Sequence, residues 1–541
     1  MNIINAVDFG IVPKKEVGKE LIKLFDAVKG KDSTTIIFQK GVYYIDSQIC
    51  QEHLLHITNT VADSEFSKQE KPHIQKTAFY LSRTENLTID GNDSVFVING
   101  KMTNFAMENC QNIILKNIEF RHAQPDIHEL KVAEKSPFCL KFVPDKVTNV
   151  EFKGGKPYFC AKDYSYPADL GAATANWIIR LQKGNSDYCQ RVKHPLSGAL
   201  KYKKTDDGFL AYYINTSRFN VGDRFYIYDV RRQFVGIFIN ESKNITLENV
   251  RQGFNYSLAL VLQCSENITV SNCAFAPDSA SPLLIASCAD FIQSSMCRGK
   301  IAVSHCKFVG AGDDCMNVHG IHFKVVKVEK NEITVKFMHG QTHGFDPFKA
   351  GDEIGFIDVK TLLEKGRTEI ISSNLINEYE ILLKLKSCDH VSIGDAIENI
   401  SACPQVLFEN NEISRIVTRG LLLTTRGKAQ IINNNFISTA MSGILMSDDA
   451  ANWYESGMCE DVLIKGNCFG FCGDVPILIK PENKVYGGGI HKNIRIENNS
   501  LNFDAKCFVK AFSGDNIKLC GNNIGKAKLI EHKNCRNITV E

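Results

Sequence analysis

Two adjacent aspartates, Asp313 and Asp314, sit in the Gly-flanked stretch "VGAGDDCMNVHG", and a third acid, Asp290, lies one repeat earlier in "SCADFIQSSMCRG". An isolated acidic pair reads most simply as an exposed turn or a helix cap, since turn chemistry favours Asp. A third carboxylate on the same patch changes that reading. Like charges in close array push their pKa values apart, so that one acid keeps its proton while another stays ionised. Glycoside hydrolysis needs that division: one carboxylic acid protonates the leaving oxygen and one carboxylate activates water. The convergence requires a fold in which residues one repeat apart stand one above the other.

The chain supplies that fold. Short alternating strands recur along it, among them "KNITLENVRQ", "ENITVSNCAF", "PQVLFENNEI", "KAQIINNNFI", "KNIRIENNSL" and "DNIKLCGNNI". Ile245 to Ile268, Val406 to Ala429 and Ile494 to Ile517 are each 23 residues apart, and Ile517 to Ile538 is 21. A repeat in the low twenties built from period-2 strands and Asn/Gly turns marks a solenoid. The expected fold class is therefore all-β: a right-handed parallel β-helix with two inserted small β-barrel or sandwich domains. Turn asparagines tolerate left-handed backbone and can hydrogen-bond to their equivalents one coil away, which accounts for the N-x-S/T tripeptides at Asn244, Asn267 and Asn537 without glycosylation. Cys264, Cys273, Cys306 and Cys520, in or beside these strands, read as small buried apolar residues.

The rhythm stops between Val150 and Gly236 and again between Ile321 and Ile400, where hairpin-like alternation such as "FKVVKVEKNEITVKF" replaces it. "FNVGDRFYIYDVRR" in the first gap and "FKAGDEIGFIDVKT" in the second are related, so both gaps are expected to hold related small β-barrel or sandwich insertions. The domain plan is 1–150, an N-terminal part of the β-helix; 151–235, an inserted barrel; 236–320, the coils carrying the aspartates; 321–400, a second barrel; and 401–541, the C-terminal coils. Near the N-terminus Val17, Leu21, Leu24, Phe25 and Val28 follow helical spacing, and this helix should cap the open end of the solenoid.

Composition bounds the partners. With 541 residues, a formal charge of +2 and no basic block, nothing points to nucleic acid. No apolar run is long enough to span a membrane, and the opening residues lack signal-peptide character; the expectation is a cytoplasmic protein as given, secreted or periplasmic if a leader has been removed. The 19 cysteines are odd in number and contain no CxxC, against a disulfide framework or a structural zinc site of that kind. No metal or organic cofactor is called for.

Around the acids, Asn317 and His319 alternate along one strand and share a face. In "SDDAANWYESG", Trp453 can stack on the apolar face of a pyranose while Glu455 accepts from sugar hydroxyls. Arg419 can bond a hydroxyl or hold a carboxylate ionised. Asp448 and Asp449, with Thr425 and Arg426 one repeat before them instead of another acid, read as ordinary loop acids.

At these residues the chain resembles glycoside hydrolase family 110, the exo-acting, inverting α-1,3-galactosidases. The similarity runs through "FNYSLALVLQCSENITVSNCAF", "ADFIQSSMCRG", "GAGDDCMNVHG", "RGLLLTTRGKAQIINNNF" and "NWYESGMCEDVLIKGNCF". It implies that Asp290, Asp313 and Asp314 are the catalytic carboxylates, with acid and base unassigned, and that the partner is a glycan ending in α-galactose. Gln293–Ser294 departs from the His-Phe pair common there, which leaves the sugar open among the blood-group B determinant, linear α-1,3-galactosyl glycans and other α-galactosides. Inversion implies an acid–base separation of roughly 6.5–9.5 Å. Three rival readings remain. A polygalacturonase-like hydrolase would need a uronate-binding Arg-x-Lys, and the RGK triplets at Arg298 and Arg426 fall away from the DD. A glycan-binding solenoid has no use for converging acids. A calcium-dependent lyase would draft Arg298 as its base.

Overall fold

The computed structural model describes residues 2–31, 33–60, 73–173, 177–181, 188–228, 232–278 and 281–541. Parallel pairing dominates. A 20-stranded sheet and a 13-stranded sheet run the length of a solenoid, and the pairs marked by the repeat are register partners: Ile245 with Ile268, Val406 with Ala429, Ile494 with Ile517 and Ile517 with Ile538. Side chains alternate in and out, so one apolar position of every rung enters a continuous core. There phenylalanines stack between coils, Phe275 on Phe308 with centroids 5.3 Å apart and Phe436 on Phe469 at 5.1 Å. The helix Gly18–Val28 buries Leu21, Leu24, Phe25 and Val28 against the first coils, covering apolar surface that a terminal rung would expose.

The asparagines divide into two kinds. Asn112, Asn244 and Asn267 have φ between 54° and 57° and pass an exposed amide ladder from coil to coil, at 2.9 Å between Asn244 and Asn112 and 3.1 Å between Asn267 and Asn244. A second ladder is buried, without left-handed backbone: Asn411, Asn434, Asn467 and Asn499 each donate Nδ2 to the next Oδ1 at 3.0, 3.0, 3.0 and 2.9 Å, ending on Asn522. Asn467 Nδ2 also reaches the Ile431 carbonyl at 2.8 Å. This second ladder satisfies polar groups in a turn that water does not reach. The cysteines are all free thiols, and of the four singled out Cys520 is only partly buried.

Both excursions leave the rung stacking intact. Ile113 pairs with Ile245 across the whole first excursion, and Ile301 with Val406 across the second. The second excursion is a closed six-stranded barrel of Phe323–Glu329, Glu332–Lys336, Glu380–Leu385, Glu364–Leu375, Glu353–Ile357 and Ala396–Asn399. The first differs from expectation in where it starts. It begins at strand Ile127–Lys135, which pairs antiparallel with Cys139–Pro144 and with Arg224–Tyr228, so residues 127–150 belong to the insert and not to the β-helix. An alternating apolar pattern declares a strand without declaring whether its partner is a parallel rung or an antiparallel neighbour. Of the barrel and sandwich forms expected, the insert takes the second: among the described residues its seven-stranded sheet is not closed, and a three-stranded sheet, Val150–Lys153, Lys156–Cys160 and Ser165–Pro167, shares its core.

The two ladders generate an ordered expectation. Asn467→Ala removes the buried acceptor of the Asn434 N–H and Nδ2 and the donor to the Ile431 carbonyl and Asn499 Oδ1, and should lower stability by roughly 2–4 kcal/mol. Asn244→Ala loses two exposed bonds, to Asn112 and from Asn267, and strains a left-handed turn, about 1 kcal/mol. Denaturant unfolding of the two variants checks the order; equal losses would mean that the buried ladder adds nothing to turn geometry.

Candidate active site

The three acids stand at the N-terminal edges of adjacent rungs in the 13-stranded sheet, before strands Ile292–Ser295 and Met316–Ile321, with Arg419 before Leu421–Leu423 on the next rung. The local step is one residue longer than the repeat: Ile292 pairs with Met316, and the Phe291 N–H donates to the Asp314 carbonyl at 3.1 Å. Asp290 is thus rung partner to Asp314, and Asp313 lies one position aside. Convergence survives the shift, because one carboxylate oxygen from each of the three lies within 4.8 Å of the others.

Each acid has a different environment. Asp290 is 5 % exposed, and its Oδ1 accepts the Asp314 backbone N–H at 3.1 Å. Burial, reinforced by the charges of Asp313 and Asp314, holds its pKa well above the usual carboxylate range. Asp313 is the opposite case. Burial alone would raise it, but Arg191 at 2.7 Å, Arg232 at 3.2 Å and the charge of Arg419 hold it well below that range. Asp314, 1 % exposed, is saturated. Its Oδ1 accepts from Thr418 Oγ1 at 2.5 Å, the Arg419 backbone N–H at 3.0 Å and Arg419 Nε at 2.8 Å, and its Oδ2 accepts from Arg419 Nη2 at 2.5 Å. The cluster is therefore divided: burial and its neighbours' charges favour a proton on Asp290, whereas Asp313 and Asp314 are each paired with arginine, Asp313 with Arg191 and Arg232 and Asp314 with Arg419.

The acids lie in a cavity of about 350 Å³ that is also lined by Arg232, Asn317, Trp453, Glu455 and, from the N-terminal segment, Asn59. Trp453 is 48 % exposed and rests on His339 of the second barrel, centroids 4.6 Å apart. Its loop is ordered by Asp449, which accepts the N–H groups of Ala451, Asn452 and Trp453. Asn317 Nδ2 donates to Glu455 Oε1 at 3.0 Å, and strand Glu455–Ser456 pairs antiparallel with Gly320–Ile321.

Several sequence expectations change. Of the two roles open to Arg419, the structure selects one: it lines the cavity and commits its fork to Asp314, holding a carboxylate and not a hydroxyl. His319 is buried behind Glu455 rather than in the wall of this cavity, receiving Gln293 Nε2 at 3.0 Å and contacting the Gly320 carbonyl through Nδ1 at 2.7 Å. Asp448 is no loop acid: it is buried against His322 at 2.7 Å, while Asp449 caps the tryptophan loop. The carboxylate spacing is also shorter than the separation of roughly 6.5–9.5 Å expected for inversion. The rival roles for Arg298 and Arg426 fail for a structural reason, since both fasten the second barrel to the solenoid. Arg298 makes a two-pronged pair with Asp352 at 2.6 and 2.7 Å, and Arg426 pairs with Glu398 at 2.8 Å.

Sequence reasoning missed Arg191 and Arg232. Arg191 comes from strand Cys189–Val192 of the first insert and carries no motif. Arg232 ends "DVRR" where the second insert has "DVKT" at the matching place, a charge difference that marks it out.

Comparison with known proteins supplies the family. Residues 332–416 match the family model described as GLAA-B beta-barrel domain II. The chain is 32 % identical to alpha-1,3-galactosidase A of Bacteroides thetaiotaomicron over 523 residues, 94 % of this chain and 90 % of that one. It is 32 % identical to alpha-1,3-galactosidase A of Akkermansia muciniphila, covering 79 % and 71 %, and 27 % identical to alpha-1,3-galactosidase B of B. thetaiotaomicron, covering 92 % and 82 %. A three-carboxylate site on a β-helix and similarity over nearly the whole chain lead to one assignment: this protein belongs to the α-1,3-galactosidases, glycoside hydrolase family 110.

Proposed function

We propose that the protein releases terminal α-1,3-linked galactose from glycans by inverting hydrolysis, with Asp290 as general acid and Asp313 as general base. The observation that carries this reading is the split within the carboxylate cluster: Asp290 is buried with no ion-pair partner among the described residues, while arginines hold Asp313 and Asp314. Asp290 donates to the glycosidic oxygen. Asp313 has both arginines on Oδ2, which leaves Oδ1 to orient and deprotonate water. Asp314 meets neither; it fixes Arg419 and, through its backbone N–H, Asp290. Trp453 offers a platform for the galactose ring, and Asn317 and Glu455 offer hydroxyl partners beside it. A cavity of about 350 Å³ has room for a terminal sugar and not for a long polymer, hence exo action.

The short spacing fits inversion when the acids share one wall. The usual separation of roughly 6.5–9.5 Å describes carboxyls that flank the anomeric carbon from opposite sides. Here the carboxylates project from neighbouring rungs of one face. An attacking water about 3–3.5 Å from carbon, plus one covalent bond to the leaving oxygen, makes a reacting line of about 4.5–5 Å. If that line runs parallel to the wall, carboxylate oxygens up to 4.8 Å apart reach one end each.

Proton NMR of an α-1,3-galactosyl disaccharide during hydrolysis tests the reading: β-galactose should appear first. Early α-galactose would overturn inversion, and no release would overturn the substrate. Asp290→Asn and Asp313→Asn should each lower kcat by roughly 10²–10⁴; an Asp313→Asn variant of full activity would remove the base assignment.

The raised pKa of Asp290 also has a sign in stability. Between the unfolded value of about 4 and its folded value, the native state holds a proton that the unfolded chain has lost, so its contribution falls as pH rises. Asp290→Asn removes that loss. The variant's melting temperature should gain on wild type progressively from about pH 4 upward, while in wild type the alkaline limb of the rate profile follows deprotonation of Asp290. Parallel melting curves of the two proteins from acid to mildly alkaline pH would contradict the proton assignment.

A further inference from the structure

Away from the carboxylates, His56, His73 and His343 bring three imidazole nitrogens within 4.8 Å of one another. They come from three places in the chain. His56 and His73 follow and precede the paired strands Gln51–Leu54 and Ile74–Ser82, held side by side by Leu54 opposite Ile74 and by the Leu55 N–H on the His73 carbonyl at 2.9 Å. His343 lies on the second barrel, in the loop between Glu332–Lys336 and Glu353–Ile357. The rings pack at centroid distances of 4.2, 5.1 and 6.2 Å.

We propose that these three histidines form a site for a zinc-class transition-metal ion that rivets the N-terminal segment to the second barrel. The donor set decides the class: imidazoles suit Zn²⁺, Cu²⁺ and Ni²⁺, whereas Ca²⁺ and Mg²⁺ take oxygen ligands. At a Zn–N distance of about 2.0–2.1 Å, binding would draw the three nitrogens closer together than the spacing of up to 4.8 Å seen here. The Glu378 carboxylate stands 4.0 Å from His343 Nδ1, next to the cluster.

The backbone is built for this approach. Gly344 has φ +86°, and a Cβ there would fall 2.1 Å from His56 Nδ1, so only glycine lets the barrel loop come against the ring. The segment after His56 is pinned to the same loop by the Asn59 N–H on the Gln341 carbonyl at 2.8 Å and by Thr58 Oγ1 with Thr342 Oγ1 at 2.9 Å. Gln263 of the solenoid holds it from behind, donating to the His56 carbonyl at 3.0 Å and accepting the Thr58 N–H at 2.9 Å. Both joined pieces shape the sugar cavity, one through Asn59 and the other through His339 beneath Trp453. The ion would fix the distance between those walls. It would not compete for the aspartate cluster, whose charge Arg191, Arg232 and Arg419 already balance.

The test uses untagged full-length protein stripped with chelator and titrated separately with ZnCl2 and CoCl2. Wild type should bind one ion per chain, with a rise in melting temperature on Zn²⁺ and the visible absorption bands of imidazole-bound Co²⁺. His343→Ala and His343→Phe should abolish both, the second keeping the space filled so that loss of binding is separable from loss of fold. Asp290→Asn should bind as wild type does. Zn²⁺ and Co²⁺ uptake by wild type no greater than by His343→Phe would overturn the site, as would binding that survives His343→Phe and disappears in Asp290→Asn. None of these readouts depends on galactosidase activity.

Discussion

Each rung of the solenoid hydrogen-bonds to the rungs above and below it, and this parallel register is the constraint on which every other feature rests. It is why residues on either side of a whole insert can be neighbours, as Ile113 is of Ile245 and Ile301 of Val406. Chain can be added at a turn between rungs without disturbing the pairing, because the next rung finds the same edge waiting. The inserts then become walls. They reach the rungs that carry Asp290, Asp313 and Arg419, and so supply groups that the rungs lack, Arg191 among them.

The chief electrostatic difficulty is three carboxylates within 4.8 Å. The protein resolves it unequally. Among the described residues no guanidinium pairs with Asp290, whose pKa burial pushes up; Asp313 and Asp314 divide three arginines between them. Those arginines arrive from the first insert, from the segment returning out of it and from the neighbouring rung. The cluster's ionisation is therefore a property of the assembled molecule, and the difference between neighbouring aspartates comes from what packs against each.

The same architecture fastens its parts with buried ion pairs rather than with disulfides. Arg298 with Asp352 and Arg426 with Glu398 hold the second barrel on the coils, and the barrel in turn seats Trp453 through His339. Buried pairs of this sort are costly to break from one side, since the remaining charge is stranded. They set orientation, which is what a sugar-stacking ring needs.

The amino-acid pattern alone determined the β-helix, because strand alternation and the Asn turns recur at a spacing that a parallel rung imposes, and the marked positions Ile245–Ile268 and Ile494–Ile517 are true partners. It also determined which acids converge, since a repeat of known length converts sequence distance into height. Three-dimensional packing decided the rest. A one-residue change in the local step, invisible in the average period, made Asp314 the rung partner of Asp290. The start of the first insert at Ile127 depended on which strand pairs with which, and alternation is silent on that. Arg191, Arg232 and the histidines His56, His73 and His343 share no spacing with their partners, because their meeting is set by insert docking rather than by the repeat. The protonation of Asp290 was likewise decided there, since burial and charge at a carboxylate are sums over neighbours from distant parts of the chain.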